Sequence, residues 1–363
     1  MIATVRELVE IESPSFSKAA VDKLGRVLAS RFEAQGGRVR FHRAVKFGDH
    51  IQVDFAGGRG RPVMLLGHHD TVYDEGTLHS MPFRATRDRL FGPGTLDMKT
   101  GIVMMMFAIR ALNETAGALP RPVLVLLNTD EEVGSESSRP TTEKLARKAE
   151  AVFVLEPAQG PQAALKTARK GVGDFHVKVT GRAAHSGVDF QEGQSAILEL
   201  ARQIERIAGF TELKRGLTVN VGVVRGGTRT NVVAAEAVAD VDVRISKAQD
   251  AARIEKKFRS LRPLNRQCQL EIRGGLNRPP MERTRAVAAL FASAKNIAAE
   301  LGWRLEEAST GGGSDGNFTA ALGVPTLDGM GAAGEGAHSR DESVVVAEVP
   351  RRTALLAAMI SHL

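Results

Sequence analysis

The chain has 363 residues, 43% hydrophobic and 25% charged, enough apolar material for two domains of ordinary size. Its one cysteine, Cys268, excludes an intrachain disulfide and a thiolate-lined zinc site, and fits a reducing, cytoplasmic compartment. The net charge of +7 is spread among acids, as in Arg253-Ile254-Glu255-Lys256-Lys257, and with one Tyr and one Trp there are no stacking platforms for nucleic acid, so small anionic substrates are the expected partners.

Residues 2–10 set Ile2, Val5, Leu8 and Val9 at helical spacing without a long apolar run, so a helix is expected there and no signal peptide. No stretch approaches the roughly 18 apolar residues of a membrane span. A second helix is expected over residues 19–35, then strands at 38–42 and 50–55. The apolar runs 63–66 and 123–128 read as strands buried on both faces of a parallel sheet, separated by a helix over 101–113. In that helix Met104, Met105 and Met106 read as core, because consecutive helical residues point in different directions. From Gly171 the pattern changes to strand 174–179, helix 193–207, strand 217–224, strand 237–245, helix 248–260 and strand 269–273, a βαββαβ unit. Helix 284–301, strand 324–327 and helix 347–361 complete the chain. The expected class is α/β, with residues 1–169 and 280–363 forming one mixed-sheet domain that is interrupted by the domain 170–279.

The run 63–66 delivers His68-His69-Asp70 at its end. Alternate residues of an extended chain share a face, so His68 and Asp70 project together while His69 points away. His68 is the ligand candidate, and Asp70 is placed to hold the imidazole through its other nitrogen. Asp97 lies in the tight turn Gly92-Pro93-Gly94-Thr95-Leu96-Asp97 before a helix, where it could cap that helix or bridge two cations about 3.5–4 Å apart. The strand 123–128 runs into Asp130-Glu131-Glu132, three acids that repel one another unless cations offset them. Glu156 follows another apolar run, and His338 lies in a glycine-rich loop. Two histidines and several carboxylates suit borderline-hard divalent ions such as zinc, and a spare glutamate beside them can take a proton from water.

Gly312-Gly313-Ser314-Asp315-Gly316 also matches the serine nucleophile elbow, but residues 306–310 before it are too polar for the buried strand that motif needs. A non-catalytic peptide-binding or scaffold protein on the same fold is the remaining rival.

The motifs GHHDTVY, FGPGTLDMKTG, NTDEEVGS, LEPA, GRAAHSG, NVV with DVR, TGGGSDGN and AHS, spread over nearly the whole chain, resemble the M20 family of metallopeptidases and its glutamate carboxypeptidase (carboxypeptidase G2-like) branch. The resemblance implies a zinc-exopeptidase-type catalytic domain interrupted by a ferredoxin-like lid that forms a homodimer, and two Zn2+ per subunit, with Co2+ or Mn2+ as substitutes. Carried over, His68 and Glu156 would hold one ion, Glu132 and His338 the other, with Asp97 bridging and Glu131 as general base. His185 resembles the histidine that reaches the partner's active site to stabilise the oxyanion, and Asn231 and Arg244 resemble substrate contacts. Arg244 suits a free C-terminal carboxylate, though a lid-surface ion pair is an equal alternative. Gly312 and Gly313 would let the backbone approach the substrate. Glutamate-specific members resemble one another in a lysine eight residues after the metal-binding glutamate; here that place is Ala164, with Lys166 two residues on. The resemblance implies cleavage of an amide or peptide bond next to a free C-terminal carboxylate in small peptides or N-acyl amino acids, with glutamate the leading side chain among several and dipeptidase or N-acyl-amino-acid deacylase activity as the alternative.

Overall fold

A computed structural model describes all 363 residues, which divide into two compact units. The first comprises Met1–Ala168, Arg283–Thr310 and Ser314–Leu363; the second comprises Arg169–Glu282 and Gly311–Gly313.

In the first unit a six-stranded mixed sheet runs in the order Arg38–His42, His50–Phe55, Val123–Asn128, Val63–His68, Ala151–Val154, Thr326–Leu327. The last four are parallel, and the first two join antiparallel at the edge. The three central strands are buried along their whole length, which is why each reads as an unbroken apolar run. Val63–His68 has the later strands Val123–Asn128 and Ala151–Val154 on opposite sides. The chain therefore crosses over it, and a crevice opens at its carboxyl end. Met104, Met105 and Met106 are all buried in the helix Thr100–Ala116, packing as core residues. Gly67 is required at the strand's end, since a Cβ there would lie 2.4 Å from the Met98 methyl.

The sequence expectation lacks the helices Arg139–Ala146 and Gly316–Ala321 and two features built from short strands. A second sheet of Gly334–Glu335, Ser343–Val345, Arg89–Phe91 and Arg84–Ala85 is built from strands of two or three residues, too short to carry a period-2 pattern. The polar stretch Glu307–Thr310 is a strand, paired with Leu165–Arg169 in a two-stranded ribbon and only partly buried.

The second unit is the expected βαββαβ arrangement: Gly171–Thr180, helix Ala196–Ala208, Thr218–Gly226, Glu236–Ile245, helix Gln249–Arg259 and Gln269–Arg278. Its antiparallel sheet places Thr218–Gly226 and Gln269–Arg278 at the edges, with Gly171–Thr180 and Glu236–Ile245 inside. Strict alternation in the central strands buries Phe175, Val177, Val179, Val241 and Val243 against Leu200, Ile207, Ile254 and Phe258 from the helices. Phe175 stacks on Phe258 with ring centroids 3.8 Å apart. The opposite face carries Asp174, His176, Asp240, Asp242 and Arg244. Gly311–Gly313 belong to this unit because Arg169 donates to the carbonyls of Gly312 and Gly313 and Arg244 to that of Gly311. No helix of the chain is long and apolar enough to cross a membrane.

Candidate metal centre

All the candidate ligands lie in the first unit, at the carboxyl edge of its main sheet or in loops beside it. His68 ends its strand with Nε2 3.1 Å from Oδ1 of Asp97 and 3.3 Å from Oε1 of Glu156. His338 meets the other oxygen of the same aspartate: its Nε2 is 3.3 Å from Asp97 Oδ2 and 3.1 Å from Glu132 Oε2. Ligand-type atoms of His68, Glu131 and Glu156 gather within 4.8 Å of one another, as do those of His68, Asp97 and Glu132. A residue at the end of each central strand or just beyond it thus converges on one crevice.

The ring of His68 is oriented from behind. Nδ1 donates to the backbone carbonyl of Asp70 at 3.0 Å, which can only accept, so one ring proton resides there and Nε2 is the nitrogen turned to the carboxylates of Asp97 and Glu156. The Asp70 carboxylate is a little farther from Nδ1, at 3.4 Å. Its stronger partner is the Ser15 hydroxyl, which donates at 2.7 Å, and it also accepts the backbone N–H groups of Glu131 and Glu132 at 3.4 and 3.3 Å. Asp70 therefore steadies both the imidazole and the acidic turn. His69 is buried with no hydrogen-bond partner at either ring nitrogen and stays outside the cluster; burial pushes it down to about 3, so it is neutral.

Electrostatics show how strongly these groups need a positive charge. Burial works to raise Asp97, but hydrogen bonds from His338 and His68 outweigh it and hold the carboxyl well below the usual range. Burial opposes the charging of His68, yet its contacts with Asp70, Asp97 and Glu156 raise it well above the ordinary value. His338 is pushed up to about 10 by Asp97 and Glu132, while burial lifts Glu132 to about 7. Glu132 Oε1 is also buried without any hydrogen-bond partner. The donor set contains only carboxylate oxygens and imidazole nitrogens, with one carboxylate shared between two histidines. It fits a pair of divalent cations.

Two supports had no distinguishing signal in the sequence. Glu342, the last acid of Ser339-Arg340-Asp341-Glu342, accepts the backbone N–H groups of the turn that presents Asp97. Arg352 is wholly buried in the last helix and donates to the carbonyls of Ala163, Gly329 and Gly331 at 2.7, 2.5 and 2.6 Å; burial lowers it to about 10. Gly331 in turn donates to the Glu156 carbonyl at 3.0 Å, so Arg352 fastens the loop beside that residue. Gly94, at φ 70°, allows the Asp97 turn, and a Cβ there would come 2.6 Å from the Thr71 methyl.

Ser314 is not arranged as a nucleophile. Its hydroxyl donates to Asp328 at 2.5 Å and accepts the Gly316 N–H at 3.0 Å, and no histidine is its partner. Metal removal should abolish hydrolysis and Ser314→Ala should not; assays of chelated wild type and of the variant check this, and chelator-resistant turnover would favour the serine.

Within the second unit, His185 is exposed and bridged to Val232, next to Asn231, whose carbonyl accepts the Ser186 N–H at 3.0 Å. Its Nδ1 accepts the Gly187 N–H at 3.1 Å, which leaves the proton of the neutral ring on Nε2. Arg244 is paired with Asp242, to which Nη2 donates at 2.7 Å and Nε at 3.0 Å. This is the ion pair that the sequence offers as the alternative role of Arg244. Ala164 is buried and offers no charge.

The model for Peptidase family M20/M25/M40 matches residues 64–362. Carboxypeptidase G2 of Pseudomonas sp. (strain RS-16) is 28% identical over 369 residues, covering 100% of this chain and 89% of that protein. Acetylornithine deacetylase of Myxococcus xanthus is 29% identical over 276 residues, 72% of this chain and 70% of that protein. In fold, the chain is similar to a Bacillus subtilis protein described as a dinuclear metal-binding peptidase from the M20 family, with TM-score 0.72 and 15% identity over 99% of this chain and 96% of that one. The clustered histidines and carboxylates and the match over most of the length agree: the chain belongs to peptidase family M20/M25/M40 and is a metallopeptidase-type hydrolase.

Proposed function

We propose that the protein is a di-zinc hydrolase that cleaves an amide bond next to a free C-terminal carboxylate in small peptides or N-acyl amino acids. The observation that carries this reading is Asp97, whose two oxygens face two different imidazoles, His68 with Glu156 on one side and His338 with Glu132 on the other. Zinc suits these nitrogen and oxygen donors, and Co2+ or Mn2+ would substitute. Ions held there would polarise the scissile carbonyl and make water acidic enough to be deprotonated near neutral pH. Glu131 accepts that proton on its carboxylate and returns it to the leaving amine. Asp70 keeps Glu131 in place through its backbone N–H. His185, with its proton on Nε2, donates to the developing oxyanion.

Five candidate ligands exceed what one tetrahedral ion uses, so elemental analysis of metal-replete protein should give about two zinc ions per chain. A stoichiometry near zero would remove the basis of the reading and favour a binding or scaffold role.

The first unit would be the catalytic domain and the second a lid through which two chains pair. Support for pairing comes from the outer strand Thr218–Gly226, whose far edge has no neighbour and where Val223 and Val224 are exposed, as are Ile197 and Leu198 on the adjoining helix. The single, buried, unbridged Cys268 suits a cytoplasmic location.

For the substrate, Asp242 occupies the Nε edge of Arg244 and fixes the guanidinium plane, leaving Nη1 turned to the Gly311 carbonyl at 3.4 Å. Arg244, with Asn231 and the backbone at Gly313, would take the free carboxylate in the bidentate manner of guanidinium. A buried alanine at position 164 favours a dipeptidase or N-acyl-amino-acid deacylase reading over strict glutamate specificity, in keeping with the deacetylase among the relatives. A panel of dipeptides, N-acyl amino acids and acyl-glutamates, each with its carboxylate free or amidated, should show turnover of the free acids only. Equal cleavage of the amidated forms would overturn the carboxylate requirement and leave the metal chemistry standing.

A further inference from the structure

Glu342 takes no part in the chemistry described above, yet it is wholly buried and its carboxylate is fully engaged. It accepts the backbone N–H groups of Leu96 at 2.6 Å, Asp97 at 2.9 Å and Gly94 at 3.0 Å, and the Tyr73 hydroxyl at 2.6 Å. Three of these donors belong to the turn that presents Asp97. The Tyr73 oxygen also lies 2.9 Å from the Ser339 carbonyl, and Glu342 N–H donates to that same carbonyl at 3.2 Å, so both residues hold the segment next to His338. His338 itself is half exposed and at φ 64°, a conformation that needs outside support.

We propose that Glu342 is a positioning residue of the metal centre: one buried carboxylate locks the Asp97 turn to the His338 loop, so that the two oxygens of Asp97 meet two different imidazoles. The inference rests on Asp97 being the shared ligand. All four hydrogen-bond donors to Glu342 are neutral, so the aligned dipoles of a tight turn hold the carboxylate in place, with the buried Lys99 side chain as a nearby countercharge. Removing that charge leaves backbone N–H groups buried without an acceptor, and the turn must rearrange to recover one. An amide in place of the carboxylate would supply one acceptor and set an N–H group against donors. The Asp97 oxygens would then lose their fixed positions, although no ligand had been changed.

The test is metal affinity rather than turnover alone. Metal-free wild type, Glu342→Gln, Tyr73→Phe and Asp97→Asn would be titrated with Zn2+ against a competing chelator and with Co2+, whose visible absorption reports ligand geometry. Loss of a partner that orients a ligand typically weakens metal binding about 10- to 100-fold, and that loss, with an altered Co2+ spectrum, is expected for Glu342→Gln. Tyr73→Phe should show a smaller loss in the same direction. Wild-type affinity and spectrum in folded Glu342→Gln would overturn the proposal, even with a lowered melting temperature, because that would be a purely structural role. If Glu342→Gln does not fold, unchanged affinity in Tyr73→Phe overturns it instead. Should Asp97→Asn also bind Zn2+ like wild type, the shared-ligand reading fails first.

Discussion

Glu131→Gln should bind zinc like the wild type and lose about 10²–10⁴-fold in kcat, the usual scale for removing a general base. The amide has the same shape as the carboxylate but can neither accept a proton from water nor return it to the leaving amine. Its backbone anchor, the N–H group on Asp70, is untouched by the change. Glu132→Gln should behave differently. Glu132 Oε2 lies 3.1 Å from His338, and its other oxygen is buried without a partner, so its loss should show first as weaker metal binding. Glu131 gathers with His68 and Glu156, while Glu132 gathers with His68 and Asp97, so the two neighbours keep different company in the cluster. Metal content and kcat measured together on both variants separate the roles. If Glu131→Gln loses metal while Glu132→Gln keeps it and loses turnover, the assignments exchange; near-normal kcat in both would require another base.

The parts of this site that could be read from the sequence are those fixed by local rules. His68, Glu131, Glu132 and Glu156 each stand at or just past an apolar run, and an unbroken run of that kind is a buried strand with its carboxyl end at the crevice. The alternation of Phe175, Val177 and Val179 likewise gave the second unit its strands and its buried face. What the sequence did not disclose depends on contacts between distant segments. Glu342 resembles any other acid in a polar loop until the turn of Gly94 to Asp97 is folded against it across some 245 positions of chain. Arg352 reads as the polar face of a terminal helix, and only the folded chain shows it spending its donors on three carbonyls. Strand pattern could not locate the small sheet that carries the His338 loop, since Gly334–Glu335 and Ser343–Val345 are too short for any period. Asp70 shows a subtler gap: side-chain alternation placed it beside His68, but its backbone carbonyl lies closer to Nδ1 than its carboxylate does.

Mixing two inactive variants should regenerate activity if His185 serves the partner's site. In a hybrid of a His185→Ala chain with a Glu131→Gln chain, the first chain keeps its base and receives His185 from the second, so one complete site forms, while the other site lacks both groups. Random re-pairing makes half the dimers hybrid with one good site in each, so about one quarter of wild-type turnover should return. Each parent alone should stay low, the Glu131 variant through loss of proton transfer and the His185 variant through loss of an oxyanion donor, which by itself costs about 10²–10³-fold. The tautomer favours that role. A backbone N–H from Gly187 occupies Nδ1, so the neutral ring must carry its proton on Nε2, the atom with a hydrogen to offer. Val223 and Val224 are exposed on the outer strand, and if chains pair there, substituting charge at these positions should suppress both pairing and rescue. If hybrids form, as judged by tagged co-purification, and activity does not recover, His185 acts within its own chain or not at all.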